Sequence, residues 1–374
     1  MRIGVDARNL VTGMNGIARV VAQTSRALAA AGCDVRLYLP EPPHAQVPQI
    51  SGVCVRTRRF RGPIARVLWG HGALPKAALD EDVDVLWGPA HRLPGRLDRR
   101  IARVVTIHDL VWVHAPETMR RRGLMGERLF MGSAVRGADI VTAVSASTAE
   151  DIGARFGALE QPVAVVHPGV DMPAPLAPDA DAARARHGID RPYALFVGTL
   201  EPRKNLPRLL AAYARLPAAI RQRCMLVLAG GHGWGERDLG ALVTELGLAG
   251  DVRLTGFVPD ADLAALYAGA RFLAMPSLYE GFGLPIAEAH ARGVPVLTSD
   301  RSSMPEVAGE AGLLIDPTDE TSIAAGLGAL ACDDALHANL AAHARKNAAR
   351  FTWRRSADAL IEVFERAIAM RKGR

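Results

Sequence analysis

The sequence predicts an α/β protein with two doubly wound domains, each built on a parallel sheet. The chain has 374 residues and is 49% hydrophobic, which is more than one ordinary core accommodates. Short apolar strands alternate with amphipathic helices along two long stretches of the chain. Between these stretches, residues 172–181 read M-P-A-P-L-A-P-D-A-D, a composition typical of a linker.

The predicted strands are short and almost wholly apolar, which suits strands buried on both faces of a sheet. Those of the first half lie at residues 2–6, 34–39, 84–88, 103–108, 139–144 and 163–169. Those of the second half lie at residues 193–198, 224–230, 251–256, 271–276, 294–299 and 312–316. Helical periodicity fills the gaps, as at 18–32, 205–217 and 262–270. We therefore place one domain at residues 1–172, a second at 185–352, and an amphipathic helix at 353–374.

Positive charge is concentrated in the first half of the chain. Residues 1–170 contain 22 Lys and Arg against 15 Asp and Glu, whereas residues 171–374 contain 23 against 24. The excess gathers in R-T-R-R-F-R (56–61), R-L-D-R-R (96–100) and R-R-R (120–122). Such clusters are suited to binding anionic lipid head groups or a phosphate-bearing acceptor. The alternative is that they form a solvated arginine-rich face with no partner of this kind. Nucleic acid is not a predicted partner, because no recognition motif accompanies the arginines.

Cysteine usage and the first residues indicate a reducing compartment. Cys33, Cys54, Cys224 and Cys332 lie far apart and form no C-x-x-C pair, so we expect small core residues rather than a disulfide or zinc framework. The opening M-R-I-G-V-D-A-R-N-L lacks the apolar run of a signal peptide. No charge-free apolar run approaches the ~20 residues that span a bilayer. The sequence therefore predicts a cytoplasmic protein.

Two cations follow the first strand of the second half. The segment T-L-E-P-R-K-N-L places Arg203 and Lys204 before Asn205, which we expect to cap the next helix. In open α/β sheets ligands bind beyond the carboxyl ends of the strands. Two cations beside a helix N-terminus form a candidate phosphate clamp, although an ordinary exposed basic loop would read the same way.

The segment S-L-Y-E-G-F-G-L-P-I-A-E-A (277–289) places two acids around a glycine loop and a helix start. The glycines let the backbone approach a ligand. The amides of Phe282, Gly283 and Leu284 would then face an anion, so with Lys204 they form a candidate diphosphate cradle. Carboxylates on either side would accept hydrogen bonds from hydroxyl groups, Glu288 from a ribose and Glu280 from the other end of the ligand. The alternative is that both acids are merely solvated.

Two places in the first half are further candidates. The turn V-T-G-M-N-G-I-A-R (11–19) puts Asn15 and Gly16 between a strand and a helix, although a plain connecting loop would look similar. The segment T-I-H-D-L puts His108 at a strand end, where a side chain faces the crevice more often than the core. The other histidines show no comparable pattern. No P-loop, nicotinamide motif or metal-ligand set is predicted.

Together these motifs resemble the retaining glycosyltransferases of family 4. The resemblance rests on E-G-F-G-L-P-I-A-E, V-G-T-L-E-P-R-K-N, T-I-H-D-L, H-P-G-V-D and the early N-G turn, which occur in family order over nearly the whole chain. The opening G-V-D-A-R and the E-P-R-K-N loop look most like bacterial mannosyltransferases and rhamnosyltransferases of polysaccharide assembly, including lipopolysaccharide.

The resemblance implies a GT-B fold, in which two Rossmann-like domains face a central cleft and the last helix crosses back to the first domain. It implies an enzyme that takes a hexose from a nucleotide sugar bound by the second domain. GDP-mannose is the first choice of donor, and a rhamnose donor is the second. No essential metal and no other cofactor are implied. The acceptor would be a glycan or a polyprenyl-diphosphate-linked saccharide held by the first domain. The enzyme would be cytoplasmic or peripheral at the inner face of the membrane.

The resemblance also implies residue roles. Arg203 and Lys204 bind the diphosphate, assisted by the amides of Phe282, Gly283 and Leu284. Glu280 contacts the donor sugar and Glu288 the ribose, and the nucleobase lies near Phe257 and Val258. His108 lies near the reacting sugar, and Asn15 and Gly16 near the phosphate and acceptor. One departure is Thr199, where several relatives carry a cation, which places more weight on Arg203 and Lys204.

Two other function classes remain open at this stage. One is a GT-B sugar-nucleotide epimerase, which would share the donor site. The other is a two-lobed sugar-binding protein without catalysis, which also pairs two α/β domains. A binding protein of that class would need export, and it would leave the acids and cations of the second half unexplained.

Overall fold

The computed structural model describes residues 1–171, 180–231, 233–234 and 238–373, which form two parallel sheets. The first sheet has the described order β3-β2-β1-β4-β5-β6-β7. Its strands are β1 (Arg2–Asp6), β2 (Asp34–Leu39), β3 (Val53–Thr57), β4 (Val85–Gly88), β5 (Ala102–Ile107), β6 (Ile140–Ala143) and β7 (Ala164–Val165). Ile3 of β1 pairs with Val35 on one side and Val85 on the other, so the strand order reverses between β1 and β4.

The second sheet has the described order β10-β9-β8-β11-β12-β13. Its strands are β8 (Tyr193–Val197), β9 (Met225–Ala229), β10 (Val252–Gly256), β11 (Phe272–Met275), β12 (Val296–Ser299) and β13 (Gly312–Ile315). Leu195 of β8 pairs with Leu273 of β11, and the order reverses between these two strands. Both sheets therefore have a topological switch point, which is where doubly wound folds bind ligands.

Helices connect the strands, as parallel pairing requires. In the first half they are α1 (Gly16–Ala30), α2 (Pro63–Leu68), α3 (Leu74–Asp80), α4 (Val111–His114), α5 (Arg121–Gly137) and α6 (Ala146–Phe156). The later ones are α7 (Ala180–Arg186), α8 (Leu206–Ala214), α9 (Ala218–Arg223), α10 (Leu239–Glu245), α11 (Asp260–Gly269), α12 (Leu284–Ala291), α13 (Met304–Ala308), α14 (Glu320–Cys332), α15 (Asp334–Ala348) and α16 (Trp353–Lys372). The prediction of a doubly wound α/β fold is confirmed.

The chain divides into two units, each with its own hydrophobic core. The first unit comprises Met1–Trp112, Arg121–Gly169 and the chain from Phe351 onward, and the second comprises Val113–Arg120 and Val170–Arg350. Helix α16 belongs to the first unit because Leu360 and Phe364 are buried with the apolar residues of α1 and the first sheet. The segment Val113–Arg120, predicted within the first domain, groups with the second unit.

Several details differ from the sequence prediction. Strand β3 was not predicted, because its residues are half-buried or exposed and include Arg56, unlike a buried strand. The predicted linker at 172–181 lies outside the described residues except for its last two, which begin α7. The expectation that all cysteines are core residues is wrong for Cys332, which is exposed. Within the described part of the chain, no helix has both the length and the apolar character to cross a membrane.

Candidate functional site

The switch point of the second sheet brings two predicted loops together. The loop after β8 carries Arg203 and Lys204, and the loop after β11 carries Glu280. Because β8 and β11 are adjacent and parallel, their carboxyl ends meet at one edge of the sheet. The backbone joins the loops as well, since the Leu278 N–H donates to the Arg203 carbonyl at 2.8 Å.

At this edge, Glu280 lies between the two cations. One carboxylate oxygen accepts from the Lys204 ammonium at 2.5 Å, and the other accepts from the Arg203 guanidinium. Arg203 is paired on its other side with Glu201. Only 6% of Lys204 and 6% of Glu280 is exposed. The structure thus joins Arg203, Lys204 and Glu280, which the sequence analysis had assigned to different parts of one ligand.

The electrostatics of this cluster follow from its burial. Burial by itself raises the pKa of the Glu280 carboxyl, but Arg203 and then Lys204 outweigh it and lower the pKa to about 2. Burial and the neighbouring Arg203 lower the pKa of Lys204, while Glu280 opposes that shift. The two acids and two bases formally balance, so an arriving diphosphate would have to compete with Glu280 for the cations.

The glycine loop itself is held by serines that follow β12. The Ser303 hydroxyl donates to the Glu280 carbonyl at 2.9 Å and to the Phe282 carbonyl at 3.0 Å, and Ser302 also donates to the Glu280 carbonyl. Gly283 precedes α12 with φ at 96°, a left-handed conformation that favours glycine. Leu284 then begins α12, so the predicted helix start lies beside the buried cations. The anion-binding role of the amides of Phe282, Gly283 and Leu284 stays a prediction.

Asn205 does not cap the following helix with its side chain. It precedes α8 with φ at 62°, and no side-chain capping hydrogen bond forms. Instead its amide group donates to the Pro276 carbonyl at 3.1 Å and to the Pro317 carbonyl at 2.7 Å. The capping prediction was wrong because these acceptors lie on distant loops that only the sheet brings near. Asn205 therefore fixes the cation loop to its neighbours.

The predicted ribose and nucleobase residues lie elsewhere in the second unit. Glu288 is half-buried on α12, and its carboxylate accepts from the Tyr267 hydroxyl at 2.7 Å. Phe257 follows the edge strand β10 and is 70% exposed, whereas Val258 is buried. An exposed aromatic ring at the carboxyl edge suits stacking on a base. Both assignments stay predictions.

In the first unit, His108 follows β5 and is buried. Its ring Nε2 lies 2.7 Å from the Pro89 carbonyl, which only accepts, so Nε2 carries the hydrogen. Burial lowers the pKa of His108 to about 4. The ring is consequently neutral at physiological pH, with its lone pair on Nδ1. A neutral imidazole can accept a hydrogen bond from a substrate hydroxyl there.

Asn15 and Gly16 lie at the start of α1, beyond the carboxyl end of β1. The Asn15 side chain accepts from the Ala18 N–H at 2.9 Å, so it caps the helix, and Gly16 is the first helical residue. Helix caps of this kind leave other first-turn amides available to anions. The acceptor-side role of these two residues stays a prediction.

Three kinds of residue that contact the predicted site residues were not predicted from the sequence. Glu201 stood inside the quoted E-P-R-K-N motif but received no role. Ser302 and Ser303 carried no signal, because their partners lie about 20 residues earlier in the chain. His91 and Glu127 were not predicted as site residues, because neither lies in a recognisable sequence motif. No group of three or more His, Cys, Asp and Glu side chains able to hold a metal ion occurs among the described residues.

Comparison with known proteins identifies the family of this chain. The model of the family described as "Glycosyl transferases group 1" matches residues 179–367, and that of "Glycosyltransferase Family 4" matches residues 14–172. The O-antigen chain mannosyltransferase B of Escherichia coli is 44% identical over 173 residues, which is 46% of this chain and 45% of that protein. This chain therefore spans less than half of that relative's length.

Two further relatives cover almost the whole chain. The D-inositol 3-phosphate glycosyltransferase 1 of Catenulispora acidiphila is 31% identical over 392 residues, covering 96% of this chain and 92% of that protein. Among solved structures, the sucrose-phosphate synthase of Thermosynechococcus elongatus superposes with a TM-score of 0.78 at 23% identity, over 99% of this chain and 100% of that one. This last likeness shows the GT-B fold. The chain therefore belongs to glycosyltransferase family 4 and is a glycosyltransferase of that family.

Proposed function

We propose that the protein is a retaining, metal-independent hexosyltransferase that moves mannose from GDP-mannose to a glycan or polyprenyl-diphosphate-linked acceptor in cell-surface polysaccharide synthesis. The observation that carries the proposal is the buried cluster of Arg203, Lys204 and Glu280 at the switch point of the second sheet. The likeness to an O-antigen mannosyltransferase supports mannose over other hexoses. Rhamnose is the second choice of sugar.

The cluster suits the charge changes of glycosyl transfer. When the bond between the anomeric carbon and the diphosphate oxygen breaks, negative charge grows on the diphosphate. Lys204 is already desolvated, and Arg203 lies beside it, so both cations are positioned to stabilise that charge. A hydroxyl oxygen of the acceptor forms the new bond on the same face of the sugar, and its proton passes to the departing phosphate. Glu280 then hydrogen-bonds sugar hydroxyls, and no covalent sugar–enzyme bond is required.

Nucleotide binding is the first test of this function. We expect GDP and GDP-mannose to raise the melting temperature, and UDP, dTDP and ADP to raise it much less, because a ligand that binds only the native state stabilises it by RT ln(1 + [L]/Kd). Melting curves with each nucleotide and its sugar conjugates measure this. Equal shifts with all four nucleotides would contradict a GDP donor. No shift with any of them would contradict a nucleotide-sugar site.

Turnover separates the alternatives. An epimerase would convert the nucleotide sugar into a diastereomer without releasing the nucleoside diphosphate. A sugar-binding protein would shift in melting temperature but leave the nucleotide sugar unchanged over hours. A transferase releases GDP in proportion to glycosylated acceptor, which chromatography of both products shows.

We also propose that an arginine-rich surface of the first unit binds anionic membrane. Its apolar part is formed by Ile64 and Leu68 of α2, which are 79% and 64% exposed, and by Met125 and Leu129 of α5, each 64% exposed. Each pair is spaced by four residues, so it forms a stripe on its helix. The two helices are close to each other, because His71, just after α2, contacts the ring of Phe130 on α5 at 6.4 Å between centroids.

Arginines lie close in sequence to this α2–α5 surface, defined by Ile64, Leu68, Met125 and Leu129. The chain contains no acidic residue from position 42 to 79. The exposed arginines that precede α2 or lie on α5 are Arg58, Arg59, Arg61, Arg121, Arg122 and Arg128. Exposed apolar side chains on helices that also carry or follow exposed cations are suited to an interface with anionic lipid. A lipid-linked acceptor would be met at such an interface.

Replacing Ile64 and Leu68 with aspartate is expected to lower binding to phosphatidylglycerol-containing vesicles at least about 10-fold. Each substitution removes an apolar side chain that would become buried in lipid on binding, and full burial of such a side chain is worth about 1.5–3 kcal/mol. Sedimentation with vesicles measures the bound fraction. Leu314→Asp, an exposed leucine of the second unit, is the matched control and is expected to bind like the wild type. Binding that is equal on pure phosphatidylcholine, or absent at every salt concentration, would overturn the membrane proposal.

A further inference from the structure

We propose that His91, held by Glu127, is a positioning residue that fixes the backbone and ring of His108. The inference rests on the proposed function in one respect, namely that His108 lies beside the reacting sugar. The positioning itself stands on contacts within the first unit. None of the sequence motifs pointed to His91 or Glu127.

His91 connects a carboxylate to the backbone of His108. Its ring Nε2 accepts from the His108 N–H at 2.8 Å, and its Nδ1 lies 3.1 Å from a carboxylate oxygen of Glu127. Because Nε2 accepts, the hydrogen of the neutral ring resides on Nδ1 and is donated to Glu127. Arg92 holds the other oxygen of Glu127 at 2.9 Å and stacks over Phe130. The carboxylate is therefore fixed from both sides.

The same short loop also fixes the His108 ring. The Pro89 carbonyl, two residues before His91, accepts from His108 Nε2 at 2.7 Å. One loop thus determines the backbone position of His108 through His91 and its tautomer through Pro89. His91 and His108 are further in ring contact, with centroids 5.7 Å apart. Fixing both ends of an imidazole is how a protein aims its remaining nitrogen at a ligand.

The backbone of this loop is strained, which a mere connection would not require. His91 adopts φ of 60°, a left-handed conformation that is uncommon for a residue with a side chain. At Gly88 a Cβ would lie 1.9 Å from the Arg92 carbonyl oxygen, so only glycine allows the loop to curl so tightly. The His91 N–H is also tied to the Thr106 carbonyl of β5 at 3.0 Å. This tight turn of the loop brings the His91 ring within hydrogen-bonding distance of the His108 N–H.

The test combines histidine NMR with donor turnover in three variants. His91→Ala removes the acceptor for the His108 N–H. His91→Gln keeps it, because the glutamine side-chain oxygen reaches the place of Nε2. Asp82→Ala is the control for backbone strain, since Asp82 also has positive φ, at 47°, and is exposed outside this loop. Two-bond proton–nitrogen spectra of ¹⁵N-histidine protein report the tautomer of His108, assigned with His108→Gln.

We expect the wild type, His91→Gln and Asp82→Ala to show His108 wholly as the Nε2–H tautomer. His91→Ala is expected to show mixed tautomers, because the loop that carries the Pro89 carbonyl loses its attachment to the His108 N–H and no longer holds that carbonyl against Nε2. With GDP-mannose as donor, His91→Ala is expected to lower kcat about 100-fold, as for a misaligned catalytic group, with KM nearly unchanged and with His91→Gln recovering most of the loss. An unmixed tautomer in His91→Ala, or an unchanged kcat there, would overturn the proposal. If the wild type consumes no GDP-mannose, the transferase proposal fails for that donor, and the spectra alone decide the role of His91.

Discussion

Lys204→Met is expected to lower the rate of transfer by about 100- to 1000-fold, which is the usual cost of removing one preorganised charge-stabilising donor. Methionine keeps the length of the alkyl stem but removes the ammonium group. Lys204 is almost wholly buried and directly contacts Glu280, so no other lysine can replace it from solvent. Arg203 remains paired with Glu280 in this variant, and the fold should persist.

Initial rates of GDP release, with and without acceptor, measure the effect. Lys346→Met is the matched control, because Lys346 is an exposed lysine of the same unit, and we expect wild-type rates from it. The nucleotide-induced rise in melting temperature should fall in Lys204→Met and not in the control. Unimpaired transfer by Lys204→Met would contradict the proposed role of Lys204 in binding the diphosphate.

We also expect wild-type transfer to continue in EDTA, since the cations of the protein are proposed to stabilise the leaving group.

Glu280→Ala is expected to destabilise the protein by about 3–5 kcal/mol, because removing one partner of a buried ion cluster leaves charge uncompensated. In this variant Arg203 keeps its ion pair with Glu201, whereas Lys204 loses its ion pair with Glu280. Lys204 is therefore the cation whose buried charge is no longer compensated by Glu280. Urea unfolding followed by fluorescence gives the free energy of unfolding. Glu320→Ala is the control, because its partner Arg215 lies 3.6 Å away and both side chains are well exposed. Such surface pairs contribute at most about 1 kcal/mol.

Acid should remove the same contribution from the wild type. The pKa of Glu280 is about 2 in the folded protein and about 4.3 in an unfolded chain, so the unfolded state takes up the proton first as pH falls. The stabilisation that Glu280 contributes is therefore complete above about pH 5.5 and is lost progressively as the pH falls through about 4 to 2. The difference in stability between wild type and Glu280→Gln should shrink over this interval. A difference that stays constant from pH 7 to pH 3 would contradict the charged cluster.

The fold could be predicted from the sequence because its elements are local patterns. Buried parallel strands such as β8 and β9 are continuous apolar runs, and the helices between them carry their own periodicity. Strand β3 escaped prediction because an edge strand with exposed residues has neither an apolar run nor a clear alternation. The identity of the loops also followed from the sequence, since motifs at strand ends mark the ligand edge of a doubly wound sheet.

Only the tertiary structure decided how the site residues are paired. Lys204 and Glu280 are 76 residues apart, and they meet because β8 and β11 are neighbours in the sheet. For the same reason Asn205 binds distant carbonyls instead of capping its helix. His91 contacts His108 because a strained loop after β4 brings it next to the backbone that follows β5. Sequence motifs indicate which residues lie at the carboxyl edge of a sheet. The contacts between loops depend on the order of the strands in that sheet, and local sequence propensities do not determine this order.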